Sequence, residues 1–253
     1  MASISIITAV INSALTVRNC IESVKSQSIK PEHILVDGGS TDSTLDVVRE
    51  SSLGITKVVS EPDRGVYDAL NKGIALATGE VIGVLHADDT FADHFVLSRV
   101  AMVFEDEDVD SCYGDLLYVD REDNGRIVRR WRSGPYDVRK FYWGWMPPHP
   151  AFFVRRKIYE KYGLYNLSFG TAADYELMLR FLVRHRIQSV YIPAILVKMR
   201  TGGLSNISLM NRLRANRMDR KAWRENGLKP FPFTHILKPL SKVGQYLITG
   251  SVC

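Results

Sequence analysis

The chain has 253 residues, with 33 Lys or Arg against 28 Asp or Glu and a net charge of +5. A hydrophobic share of 45% and a charged share of 24% are those of an ordinary soluble globular protein, long enough for one domain with a buried core and a tail. No apolar run reaches a membrane span, Ile4–Ile11 is too short and lacks the basic start of a secretory signal, and Cys20, Cys112 and Cys253 show no metal or redox spacing.

The elements follow in order. Ser3–Val10 is uncharged and β-rich, a central strand. Leu15–Ser26 has helical spacing of apolar residues, and Glu32–Val36 is a second strand. It runs into Asp37-Gly-Gly-Ser-Thr-Asp42, whose glycines allow a tight turn before a helix from Ser43. Thr56–Val59 is a third strand, Gly65–Ala77 a helix, and Val81–Leu85 a fourth strand that ends in Asp88-Asp89. This alternation predicts a mainly parallel sheet flanked by helices. The second half changes character. Asp110–Asp120 and Gly125–Arg132 read as strands, Tyr136–Trp145 as an aromatic segment, Ala151–Val154 as a strand and Lys157–Tyr162 as a short helix. Ala172–Val183 reads as an amphipathic helix, Gln188–Ile192 and Leu196–Met199 as two strands, and Asn206–Asn226 as a basic helix. Pro230 and Pro232 mark the edge of the main domain. The organisation expected is a domain over 1–229, with a nucleotide-binding half (1–110) and an acceptor half (111–229), and a tail over 230–253.

Residues 198–253 hold 11 basic against 2 acidic residues, +9, which leaves 22 against 26, −4, for the first 197. No nucleic-acid motif accompanies this basic end, so an anionic membrane face is the expected partner rather than nucleic acid. Ile236, Leu237, Leu240, Val243, Leu247 and Ile248 form a helix-like stripe beside Lys238 and Lys242, interrupted by Pro239 and Gly244. The tail therefore either packs on the domain or touches the inner face of the cytoplasmic membrane, and the protein is expected to be cytoplasmic, peripheral on that face.

Asp88 and Asp89 close an apolar run with two carboxylates that repel each other. One reading is a hard divalent ion, Mg²⁺ or Mn²⁺, shared with the phosphates of a nucleotide. The other is a solvated turn, or Asp89 capping a helix that starts near Asp93. Four islands stand at strand ends: Asp37–Asp42, Glu61–Gly65, His86–Asp89 and Ala172–Glu176. In this order and spacing, over roughly residues 3–205, the chain resembles the family 2 glycosyltransferases with the GT-A fold, those that build bacterial surface polysaccharides above all. The resemblance implies a GT-A α/β domain with a smaller acceptor-side β element and a basic C-terminal helix. It implies a metal-dependent, inverting hexosyl- or N-acetylhexosaminyl-type transferase. The donor is a nucleoside diphosphate sugar, a UDP-sugar first among them, and the acceptor a saccharide or lipid-linked hydroxyl.

Carried over by motif, Asp174 is the general base. Thr8, Asp37, Asp63, Arg64 and Asp88 bind donor, with Asp37 on the base and Arg64 on the pyrophosphate. Asp89 takes the metal, and His149 in Pro148-His149-Pro150 takes the metal–diphosphate or the acceptor. Trp143 and Trp145 form an acceptor floor or belong to the core, and Gly202-Gly203-Leu204-Ser205 resembles a closing loop. Two positions depart from the pattern: His86 stands for the commoner first acid and Ala173 for the commoner Glu. A dinucleotide-dependent oxidoreductase would need Gly-x-Gly-x-x-Gly after the first strand, which Ala9–Thr16 lacks, and a nucleotidyltransferase a phosphate loop there, also lacking. The remaining alternative is a non-catalytic nucleotide-sugar-binding or scaffolding subunit of a polysaccharide assembly.

Overall fold

The structure, a computed structural model, describes residues 1–51, 53–123, 125–202 and 209–234. β1 (Ile4–Val10) is buried along its whole length, as an apolar strand with neighbours on both sides must be. β2 (Glu32–Asp37), β3 (Lys57–Ser60) and β4 (Val81–Val84) join it in parallel, in the order β3-β2-β1-β4. Helices α1 (Val17–Lys25), α2 (Thr44–Glu50) and α3 (Val66–Leu76) make the crossovers, α1 burying Val17, Cys20, Ile21 and Val24. α3 lies close against β1 because residue 73 is glycine: a Cβ there would stand 2.3 Å from Ile7 Cγ2. The chain steps outward from β1 to β2 to β3, then returns to the other side of β1 for β4. That reversal opens a crevice at the carboxyl ends of β1 and β4, where open α/β sheets bind ligands.

The second half extends the same sheet. β8 (Phe152–Arg155) runs antiparallel to β4 and to the first residues of β6 (Ser111–Val119). The far half of β6 pairs antiparallel with β7 (Ile127–Trp131). β9 (Ser189–Arg200) lies parallel on the other side of β6, and β5 (Thr90–Phe91) closes that edge against β9. Helices α4 (Val96–Val103), α5 (Arg156–Tyr162), α6 (Ala173–Met178) and α7 (Leu209–Glu225) complete the described fold. Trp223 of α7 is fully buried and donates its indole N–H to the Tyr175 hydroxyl at 2.9 Å, which fastens α7 to α6.

Four expectations from the sequence change. The two strands expected at Gln188–Ile192 and Leu196–Met199 are one strand, β9. Pro193, which lacks an N–H, lies within it, and the ladder accommodates it by a register shift opposite residues 113–115. The helix expected over Ala172–Val183 is α6 followed by a π-helical turn, Leu179–Arg184, where Arg180 binds the Gly163 and Leu164 carbonyls and the Glu176 carboxylate. The helix expected near Asp93 starts at Val96, with Asp93 accepting from the Phe95 N–H at 2.7 Å, so Asp89 caps no helix. Asp89 is 1% exposed, which also removes the solvated-turn reading. Most of the Gly202–Ser205 loop and the apolar stripe from Ile236 to Ile248 lie outside the described residues.

Candidate active site

Three turns converge at the crevice. The first follows β4. Leu85 N–H bonds the Ile7 carbonyl at 3.0 Å, which extends β4 by one residue, and a tight turn then brings the Asp89 N–H to the His86 carbonyl at 3.0 Å. Asp88 is half-buried; Asp89 is buried, with Oδ1 accepting from the Arg200 N–H at 3.3 Å. Oδ2 of Asp89 is buried with no hydrogen-bond partner. Burial, then the charge of Asp88, push the Asp89 carboxyl well above the usual carboxylate range, against the opposing pull of Arg200. A buried, unpartnered carboxylate oxygen beside a second carboxylate lacks a cation. The donor set is all oxygen, which suits Mg²⁺ or Mn²⁺. Among the described residues no group of three or more His, Cys, Asp or Glu closes a cage, so the pair fits an ion that takes its other ligands from water and phosphate.

The second turn follows β2. Asp37 ends that strand, fully buried, and its carboxylate is spent on its own loop. It accepts from the Gly39 N–H at 3.2 Å, the Ser40 N–H at 3.2 Å and the Ser60 hydroxyl at 2.7 Å, with a further bond from the Ser40 hydroxyl. Burial alone would raise the Asp37 carboxyl; the bonds from Ser40, Ser60 and the backbone outweigh it and hold the group below its usual value. Asp63 stands over Gly38, where a Cβ would meet its Oδ2 at 2.3 Å. Its Oδ1 accepts from the Gly65 N–H at 2.8 Å. Arg64 is exposed and reaches back to Asp68 at 2.9 Å, its hydrogen bonds holding that carboxyl down at about 2. Thr8 does not face the crevice with its hydroxyl: Oγ1 is buried at 3.0 Å from His33 Nε2.

The third turn carries Asp174, in the first turn of α6. His149, in a short 3₁₀ turn before β8, places Nδ1 3.1 Å from Asp174 Oδ2. Asp174 Oδ1 accepts from the Tyr175 N–H at 2.8 Å. From α3, the Tyr67 hydroxyl lies against Asp174, and burial, then the charge of Asp174, keep that phenol protonated by raising it well above its usual value. The Tyr67 ring packs on Tyr165 with centroids 5.2 Å apart. Asn71, one helical turn on from Tyr67, clips the Tyr165 backbone with two bonds of 2.9 Å, one to its carbonyl and one from its N–H. His86 links this turn to the first. Its ring meets that of His149 edge-on at 5.8 Å, and burial, then His149, push it down to about 4 against the charges of Asp88 and Asp174.

The structure therefore gathers Asp88, Asp89, His149 and Asp174 of the sequence-based set around His86, with Asp63 and Arg64 on the β3–α3 loop. It turns Asp37 and Thr8 inward. It places His149 beside Asp174. Trp145 belongs to the core, its indole N–H bonded to the Ser133 carbonyl at 3.0 Å and its ring edge-on to Phe141. Trp143 is 61% exposed and lies against Phe231. Sequence reasoning passed over Tyr67 and Arg200; the one available signal was the spacing of Tyr67 and Asn71 on one helix face.

Residues 5–163 match the model of glycosyl transferase family 2. A PGL/p-HBAD biosynthesis glycosyltransferase of Mycobacterium bovis is 35% identical over 208 residues, covering 80% of this chain and 78% of that one. The structure of S. aureus TarS 1-349 in complex with UDP-GlcNAc is similar with a TM-score of 0.70 at 17% identity, over 88% of this chain and 66% of that one. The full TarS chain is matched over 40% of its length. M. tuberculosis glucosyl-3-phosphoglycerate synthase in complex with Mg²⁺ and UDP is similar with a TM-score of 0.62 at 17% identity, over 91% of this chain and 81% of that one. With more than half its length inside the family match, the chain belongs to glycosyl transferase family 2, and it is a glycosyltransferase of the GT-A fold.

Proposed function

We propose that the protein transfers a sugar, with inversion, from a UDP-sugar to a hydroxyl of a saccharide or lipid-linked acceptor in cell-surface glycan synthesis. One observation carries the reading: the turn that bears the unpartnered Asp89 Oδ2 also bears His86, whose ring meets His149, and His149 meets the Asp174 carboxylate. A donor lies between Asp89 and Asp174, its diphosphate toward Asp88 and Asp89 and its anomeric carbon toward Asp174. Asp89, with Asp88 beside it, would hold a divalent ion; when bound, that ion supplies positive charge to the leaving diphosphate. Asp174 takes the proton from the acceptor hydroxyl as the new glycosidic bond forms and the bond to diphosphate breaks. Asp63, over Gly38, takes the base-side role in place of Asp37, and Arg64 serves the phosphates by leaving Asp68. Uridine is put first because the S. aureus and M. tuberculosis neighbours hold UDP-GlcNAc and UDP. A cell-surface acceptor is supported by the M. bovis relative, which is named for PGL/p-HBAD biosynthesis.

A thermal-shift panel of UDP-, GDP- and dTDP-sugars, each with and without Mn²⁺, tests the donor. A ligand at a hundred times its Kd stabilises by about 2.7 kcal/mol, a shift of several degrees for a chain this size. UDP-sugars with Mn²⁺ should raise the melting temperature and the others less. Equal silence from all three nucleotides would remove the donor assignment.

A further inference from the structure

We infer that His149 and Tyr67 are positioning residues that clamp the Asp174 carboxylate from two sides and so fix the oxygen it offers to the acceptor. The inference rests on Asp174 being the base. A carboxylate near the start of a helix turns freely about its terminal bond unless donors fix it, and a base must sit within hydrogen-bond reach of the proton it removes. Polar groups from three elements surround the Asp174 carboxylate. The Tyr175 N–H of its own helix donates to Oδ1 at 2.8 Å, His149 Nδ1 from the turn before β8 stands 3.1 Å from Oδ2, and the Tyr67 hydroxyl lies close from α3. Both outer groups are themselves fixed. His149 sits between Pro148 and Pro150, which restrict the backbone on either side, and its ring rests edge-on against His86. The Tyr67 ring packs tilted against Tyr165, whose backbone Asn71 holds with two hydrogen bonds. The clamp therefore joins α3, from the nucleotide-binding half, to β8 and α6, from the acceptor half. A displacement of about 1 Å in such a group costs on the order of a hundredfold in rate.

The test uses the full chain with Mn²⁺ and the UDP-sugar that gives the largest thermal shift. It reads UDP released to water or to an alkyl glycoside acceptor. His149→Ala and Tyr67→Phe should each lower kcat roughly 10- to 100-fold with the donor KM within about twofold of wild type. His149→Asn, whose amide can reproduce the Nδ1–H donor, should recover most of the loss. Asp174→Asn separates the two levels of the account. If Asp174→Asn is inactive while His149→Ala and Tyr67→Phe turn over normally, the clamp is wrong and the base stands. If Asp174→Asn turns over normally, the base itself is wrong. Loss of Mn²⁺-dependent UDP binding in His149→Ala would move His149 to the donor site and overturn the inference. An Asn variant as inactive as the Ala variant would show that the imidazole does more than orient, which also overturns it. Tyr67→Phe keeps the ring contact with Tyr165, so one arm reads out even if a His149 variant fails to fold.

Discussion

His33 gives the clearest pH signature of any single residue. It is buried in β2 with Nε2 on the Thr8 hydroxyl, and burial pushes it from 6.5 down to about 4. The unfolded chain, with an ordinary imidazole, therefore binds more protons than the folded chain between pH 6.5 and about 4. Stability from this group is whole above pH 6.5, falls as the pH drops, and is gone below about 4. Acidification from about pH 7 to 5 should cost about 2 kcal/mol through His33 alone. Denaturant unfolding of wild type and of the Thr8→Val/His33→Leu double variant checks this. Removing both partners leaves only the Cys20 thiol, a weak donor 3.9 Å from Thr8 Oγ1, without its contact, and the variant should lose about 2 kcal/mol less over that interval. Parallel slopes would mean that His33 takes up its proton without unfolding.

α3 does two jobs at the scale of an element, one face packing and one end positioning. Gly73 is the packing limit, because a Cβ there would stand 2.3 Å from Ile7 Cγ2 and 3.3 Å from Val36 Cγ2. Gly73→Ala should lower stability by about 1–3 kcal/mol by overpacking. Combined with Ile7→Ala, the loss in a denaturant titration should be smaller than the two single losses added, since the sites share one contact. Much of this layer is legible in the sequence. The alternation from β1 to β4 follows from local periodicity, and the acids at strand ends mark the crevice before any coordinates. What is not legible is pairing across the chain. Nothing local in Met146–Pro150 says that His149 meets Asp174, because that contact is made by β8 inserting antiparallel beside β4. Asp37 is assigned to the base from its place in the family motif, and nothing local says that Ser60, arriving from β3, shares its carboxylate with Ser40. The continuity of β9 through Pro193 is equally hidden, since a shift in register absorbs the proline.

At the scale of the whole molecule, no described helix is long and apolar enough to cross a membrane. Trp143, Phe231 and Phe233 are nonetheless exposed, the first two in ring contact, where the described chain ends at residue 234. Exposed aromatics next to an excess of basic residues make anionic lipid the partner to test. The full chain should sediment with anionic vesicles at low salt, and either deletion of residues 235–253 or added salt should weaken that. Indifference to such vesicles at low salt would assign the tail to the domain or to another chain. The central claim, that Asp89 organises a metal–nucleotide site at the end of β4, is tested most directly by calorimetric titration of UDP into wild type and Asp89→Asn, with and without Mn²⁺. The substitution keeps an oxygen for the Arg200 N–H and removes a buried carboxylate whose Oδ2 has no partner, so it should leave the unfolding midpoint unchanged or raise it. Wild type should bind UDP only with Mn²⁺, and Asp89→Asn should lose that metal-dependent binding while folded; undiminished Mn²⁺-dependent binding in the folded variant would contradict the account.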